Sequence, residues 1–321
     1  MSNNLENVKF GLIVHSTNNL GDDIQSLASK QYLPHVDYLL DRERLKKYHF
    51  KQKVKLIMNG WFMHNVKNWP PSKNIIPLFV SFHLNPNKAQ KFLTKESIEY
   101  LKRHEPIGCR DFSTQNILEK NGIKSYFSGC LTLTLGYKYK FKKEGKKILI
   151  VDIDPEIYKY IPKYILNNSQ IKTQEYYSND FISYIRKFSV KNKIAIGSIA
   201  YNKFVEYFGR SSHYYKKRLK QAEIRLKEIA TSSLVITSRL HVALPSLAFN
   251  IPVIFIHKNI QDPRFSGLLE YLNAFQIEEF KKYSNTIDWE NIENPNRDKL
   301  QILIKNLVGT CEIFIEKGSV Q

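Results

Sequence analysis

The stretch Ser233-Leu234-Val235-Ile236-Thr237-Ser238-Arg239-Leu240-His241, followed by Pro245-Ser246-Leu247-Ala248-Phe249-Asn250 and Ile251-Pro252-Val253-Ile254-Phe255-Ile256, decides the fold. A β-branched run ending at Thr237 reads as a short strand. Arg239 and His241 sit on the turn that opens the next helix, and Ile251 begins another apolar strand. Strand, turn, helix and strand in that order make a unit of parallel α/β structure. In such sheets the ligand crevice lies at the carboxyl end of the strand and the amino end of the next helix. Free N–H groups and the helix dipole favour an anion there. A guanidinium grips carboxylate or phosphate with two bonds, and an imidazole moves a proton near neutral pH. The segment therefore reads as a site for an anionic substrate that undergoes acid–base chemistry.

Working outward, the same alternation fills the chain. Strands are expected at Val8 to His15, Val54 to Asn59, Ile76 to Phe82, Pro106 to Arg110 and Lys124 to Ser128. Helices are expected from Asp22, from Thr94 and from about Asp111. The Lys-rich stretch Tyr137 to Lys147, with Gly145, reads as a linker, and Lys147 to Asp152 restarts the pattern. A strand at Ile194 to Ile199, a long helix at Tyr215 to Thr231 and a terminal helix at Asn296 to Ile315 complete it. The expectation is an α/β protein of two facing Rossmann-like domains, 1–140 and 141–321, with mostly parallel sheets and a central cleft. The terminal helix is expected to pack back on the N-terminal domain.

The 321-residue chain is 42% hydrophobic, ample for two cores, and carries a formal charge of +19. Lys is interleaved with Tyr, Asn and Ile rather than gathered in a tail. With no helix-turn-helix, RNP or zinc-finger pattern, no nucleic-acid partner is expected. Peripheral contact with an anionic membrane fits the charge better. Cys109, Cys130 and Cys311 are odd in number and widely spaced, which suggests neither a disulfide framework nor a thiolate metal site. Phe10 to Val14 is too short for a signal segment, and no stretch approaches the ~20 apolar residues of a membrane helix. A cytoplasmic protein at the inner face of the membrane is expected.

Other segments could carry chemistry at strand ends. In Asn19-Leu20-Gly21-Asp22-Asp23, Gly21 permits close approach of a ligand, and Asp22 or Asp23 can accept a hydroxyl proton. Either carboxylate could instead cap the helix. Gly60-Trp61 offers an aromatic face for a sugar, as does Trp69, although both tryptophans could be ordinary packed rings. Arg110 could reach an anion or simply pair with Asp111, with Ser113 capping the helix and Cys109 buried. Asp152-Ile153-Asp154 resembles a metal-holding D-x-D, a pattern that recurs by chance. His15, His64, His83 and His257 have no metal-ligand spacing, and Tyr201 to Lys220 reads as a solvated basic surface.

In order along the chain, Asn19 to Gln25, Cys109-Arg110-Asp111-Phe112-Ser113, Ser128 to Leu133, Ser238-Arg239-Leu240-His241 and Asp262-Pro263-Arg264-Phe265-Ser266-Gly267-Leu268 resemble the polysaccharide pyruvyl transferase family. That resemblance implies a GT-B-like fold. It implies transfer of the pyruvate unit of phosphoenolpyruvate onto two hydroxyls of a sugar or lipid-linked oligosaccharide, as a cyclic ketal. It places donor contacts on Ser238, Arg239, Leu240, Arg110 and Arg264, and the general acid on His241, a histidine of ordinary pKa near ~6.5. Asn19, Gly21, Gly60 and Trp61 fall on the acceptor side, with Asp22 and Asp23 as candidate bases. No cofactor or metal is expected. Two other readings fit parts of the sequence: a GT-B glycosyltransferase using a sugar nucleotide, and a non-catalytic basic module for membrane or nucleic acid.

Overall fold

The computed structural model of the protein describes residues 8–142, 147–176 and 211–316. The expected strand at Ile194 to Ile199, part of the Tyr137 to Lys147 linker and half of the Tyr201 to Lys220 run lie outside the described residues. Two α/β halves with parallel sheets face each other across a cleft.

In the first half, Lys9–Val14 (β1), Tyr38–Asp41 (β2), Val54–Ile57 (β3) and Ile75–Leu78 (β5) form a parallel sheet in the order β2-β1-β3-β5. Gly60–Phe62 (β4), Phe82–Leu84 (β6), Ile107–Cys109 (β7) and Ser125–Phe127 (β8) form a second, in the order β4-β6-β7-β8. The strand expected at Val54 to Asn59 forms and ends at Ile57, whereas the single strand expected at Ile76 to Phe82 is corrected, since β5 stops at Leu78 and β6 starts at Phe82. After both β3 and β5 the chain re-enters as a strand of the neighbouring sheet. The chain changes direction at left-handed backbone: Gly60, the first residue of β4, has φ 99°, and Ser81, just before β6, has φ 55°.

In the second half, Ile148–Val151 (β9), Ser169–Lys172 (β10), Leu234–Thr237 (β11), Val253–His257 (β12) and Asn273–Gln276 (β13) pair in the order β10-β9-β11-β12-β13, all parallel. The order reverses between β9 and β11, and in the first half between β1 and β3. Loops leaving those strands therefore open at the switch points where α/β sheets bind ligands.

Helices cover the sheets: Leu20–Lys30 (α1), Pro86–Phe92 (α2), Lys95–Lys102 (α3), Phe112–Lys120 (α4), Lys163–Asn167 (α5), Ser212–Ala230 (α6), Leu240–Ala248 (α7), Ile277–Tyr283 (α8) and Arg297–Glu316 (α9). Helix α1 begins two residues before the expected Asp22, because the Asn19 side chain accepts from Gly21 N at 2.9 Å and caps it there. One apolar cluster spans both halves, from Leu12, Ile24 and Leu27 through Leu131 and Leu133 to Leu226, Val242 and Leu247. Each such side chain, fully buried, contributes about 1.5–3 kcal/mol. Helix α9 adds Leu300, Leu307 and Cys311 to the same cluster. The buried Lys55 of β3 donates to the carbonyls of Phe314 at 2.8 Å and Ile315 at 2.9 Å, a cation at the carboxyl end of α9. The three cysteines are buried and free.

Candidate functional site

A cleft of about 770 Å³ opens where the two switch points face each other. From the first half it takes Thr17, Asn19, Asp22, Arg42, Trp61, His64 and Arg110, with the loop after β6. From the second it takes Gln174, Ser238, Arg239, Leu240, His241, His257, Asp262 and Arg264.

The Ser238–His241 turn is built by its neighbours. Arg239 N donates to Thr237 Oγ1 at 2.9 Å, and its Nε donates to Asp152 Oδ2 at 2.8 Å. Ser238 Oγ donates to the Asp152 carbonyl. Asp152 follows β9 with φ 48°, so the end of one central strand holds the turn after the other. The D-x-D pattern is thereby explained: Asp152 anchors Arg239, while Asp154 caps a short 3-10 turn through Glu156 N at 3.1 Å. His241 keeps non-helical backbone angles although the helix has begun. Pro245, four residues on, has no N–H for the His241 carbonyl. That carbonyl accepts instead from Gln174 Nε2 at 3.4 Å.

His241 Nε2 is buried without a hydrogen-bond partner. Burial and the nearby Arg110 hold its pKa at about 3, against a smaller upward pull from Asp22. The expectation of an ordinary imidazole near ~6.5 is corrected: His241 is held neutral near pH 7. Buried polar atoms without partners gather around the same cleft, among them His15 Nδ1, Arg42 Nη1 and Arg110 Nε. Such atoms are costly unless something completes them.

Asp22 reaches the cleft, accepting from Thr17 Oγ1 at 2.6 Å and Gln25 Nε2 at 3.2 Å. Burial raises its pKa, but His15, Arg42 and the Thr17 hydroxyl outweigh burial and hold it at about 2. It is a weak proton acceptor. Asp23 faces the other way and is corrected as a candidate base. Its carboxylate takes Arg218 Nε at 3.1 Å and Nη2 at 2.5 Å, both residues buried, and so ties α1 to α6. Gly21 and Gly60 do not line the cleft either. A side chain at Gly21 would meet His241, and one at Gly60 would meet Gln25.

Trp61 does line the cleft, with the Arg42 guanidinium 4.9 Å over its ring and His64 at 4.3 Å. Trp69 is a packed ring among Phe62, Phe82, Phe92 and Tyr100. Arg110 reaches the cleft from the end of β7 and keeps Asp111 as a neighbour at 3.5 Å. The cap of α4 is Asp111, through Thr114 N at 2.9 Å, rather than Ser113. Arg264 is gripped by Asp262 at 3.0 and 2.7 Å. Arg42, His64, Gln174 and His257 are site residues that the sequence does not single out, because their only signal is a position at or just past the end of a strand whose partner lies elsewhere in the chain. Among the described residues no group of three or more His, Cys, Asp or Glu converges as metal ligands would.

Among curated proteins no sequence match to the chain was found. Solved structures similar to the chain at low identity include the following three. An uncharacterized protein of Klebsiella pneumoniae is 13% identical with TM-score 0.45, covering 84% of this chain and 92% of that one. A UDP-N-acetylglucosamine 2-epimerase is 12% identical with TM-score 0.44, over 95% and 96% of the two chains. The UDP-GlcNAc 2-epimerase of Methanocaldococcus jannaschii is 12% identical with TM-score 0.40, over 94% and 99%. The family comparison matches residues 19–257, from the Asn19 cap on one wall of the cleft, through Arg110 and the Ser238–His241 turn, to His257 on the other. This chain is therefore a transferase belonging to the polysaccharide pyruvyl transferase family.

Proposed function

We propose that the chain moves the pyruvyl unit of phosphoenolpyruvate onto two hydroxyls of one sugar as a cyclic ketal, in capsule, exopolysaccharide or cell-wall glycan assembly. One observation carries the reading: guanidinium groups from both halves, Arg110 and Arg239, converge on a cleft where His241 Nε2 has no partner. A donor with a carboxylate and a phosphate needs cations on two sides. Arriving beside His241, its negative charge favours the imidazolium and so loads an acid that burial and Arg110 otherwise keep neutral.

His241 then gives a proton to C3 of the enol, and C2 becomes electrophilic. A sugar hydroxyl resting on Trp61 and oriented by Asp22 forms a bond to C2. The C2–O bond to phosphate breaks, and the second hydroxyl closes the ring. Of the two hydroxyl protons, one replaces the proton given to C3 and one leaves with phosphate. As written, the reaction consumes no nucleotide and no redox equivalent. The acceptor is proposed to be an oligosaccharide, free or lipid-linked, met at the cytoplasmic face of an anionic membrane, which the charge of +19 favours.

The test is phosphate release from phosphoenolpyruvate in the presence of capsule or wall oligosaccharides. His241→Ala should abolish it, and unchanged release would remove His241 from the mechanism. Thermal stabilisation by a nucleoside diphosphate but not by phosphoenolpyruvate would favour a sugar-nucleotide enzyme instead.

A further inference from the structure

Strand register puts Trp61 opposite His83 and Phe82 opposite Cys109. Trp61, His83 and Arg110 therefore stand in a row across β4, β6 and the end of β7. Trp61 and Arg110 line the cleft, whereas His83 is completely buried between them. Its partner is Asp111, also fully buried, and all four of the shortest contacts to that carboxylate can be named. His83 Nδ1 is 2.6 Å from Oδ2, and Thr114 N and Thr114 Oγ1 are each 2.9 Å from Oδ1. Arg110 Nε is 3.5 Å from Oδ2 and makes no hydrogen bond.

Arg110 and Asp111 are adjacent in sequence, and an arginine beside a buried carboxylate ordinarily closes on it in a charge-assisted pair. Here the carboxylate has been filled by other donors. We infer that His83 is a positioning residue: by occupying Asp111 Oδ2 it keeps the Arg110 guanidinium out of a closed pair and available to an anion in the cleft. Asp111 still supplies the counter-charge that makes a buried arginine tolerable. The hydrogen bond fixes the tautomer as well. Burial pushes the Asp111 carboxyl up, but the His83 hydrogen bond, the Arg110 charge and the Thr114 N–H together hold it below the usual carboxylate range. Burial and Arg110 hold His83 at about 4, so a neutral ring donates from Nδ1–H. Its Nε2 is left bare and without a partner.

This inference rests on Arg110 as a donor contact, and the experiment separates the two. Calorimetric titration with phosphoenolpyruvate and with inorganic phosphate compares the wild type, His83→Leu and His83→Asn. Leucine removes the donor to Asp111, and Arg110 closes on the vacated oxygen. Asparagine places an amide donor near the Nδ1 position and restores availability. The expected result is binding weakened about tenfold in the leucine variant, with KM for phosphoenolpyruvate raised by a similar factor, kcat little changed, and recovery in the asparagine variant. Wild-type protein that binds neither anion removes the donor reading and this inference together. Wild-type binding with an equally tight leucine variant, or with no recovery by asparagine, overturns this inference alone. Nitrogen-15 spectra of the unmutated protein at neutral pH give a check independent of folding. A proton on Nδ1 of His83 is expected, and a proton on Nε2 sinks the proposal.

Discussion

A methyl group built on Gly21 would lie 3.0 Å from His241 Cβ and 3.2 Å from its Nδ1. The first turn of α1 thus leaves the space that the histidine ring of the opposite half occupies. Gly21→Ala is expected to leave stability within about 1 kcal/mol, since the helix gain of alanine over glycine offsets the crowding. Activity should fall at least about tenfold, because displacing a reacting group by a few tenths of an ångström is costly. Denaturant melts alongside kcat check this, and a fully active variant would show that the ring position is not critical.

Asp23→Ala separates a structural carboxylate from a catalytic one. The change strands Arg218 in a buried position with Tyr176 and Tyr214 against it. Breaking such a pair from one side costs about 3–5 kcal/mol. Urea unfolding should show that loss. If stability is unchanged and kcat collapses, Asp23 takes part in the chemistry after all.

The strands flanking the Arg239 turn were legible because β-branched runs end in residues that cannot continue them. The sheet bend was not. Phe79 and Val80 continue the apolar run of β5, and nothing in the composition marks Ser81 as the left-handed residue that ends it. Strands β2, β10 and β13 are mixed in composition, and they pair from sheet edges where no uniform apolar pattern is required. Within the site, Arg239, His241 and Arg110 were legible from strand-end position and residue type. Asp152 as the anchor of Arg239 was not, since the two are 87 residues apart and meet only through the pairing of β9 with β11. For Asp22 and Asp23, adjacent carboxylates on one helix turn diverge in direction, and only the packing of α6 shows which one is claimed.

Stability should fall as the solution is acidified below neutrality. His15 and His241 titrate at about 3 and His83 at about 4 in the folded protein, against ~6.5 when unfolded. Their folded values are depressed, so between these limits the unfolded chain binds more protons and the unfolding free energy rises with pH. Near pH 5 the unfolded chain should hold about three more protons than the folded one from these residues alone. Midpoints of denaturant unfolding measured from pH 7 to pH 4 read the trend. A flat profile would mean that these rings are not buried neutral.

Asp152→Ala tests whether the carboxylate works as an anchor. Removing it also removes negative charge near an anionic donor, which by itself tightens binding. Arg239 is 41% exposed, however, so that Coulomb gain is strongly screened. The freed arginine regains up to about 2 kcal/mol of rotamer freedom, which binding must then take away again. The ordering cost outweighs the screened repulsion. KM for phosphoenolpyruvate should rise about five- to tenfold, with kcat within a few fold. A lower KM would show that repulsion was the larger effect.

Donor binding should carry protons with it. His241 is held at about 3 by burial and by Arg110. An anion placed among Arg110, Arg239 and His241 opposes both causes, since it neutralises the arginine field and offers the imidazolium a counter-charge. The pKa of His241 must therefore rise on binding, and the complex takes up protons over the pH range between the two values. Calorimetry of phosphoenolpyruvate binding near pH 6, in buffers of different ionisation enthalpy, should report net uptake approaching one proton. The His241→Ala variant should lose most of that uptake while still binding the anion through its arginines. Uptake that persists in the variant would assign the proton to another group. Binding with no uptake in the wild type would leave His241 neutral in the complex and unable to serve as the acid.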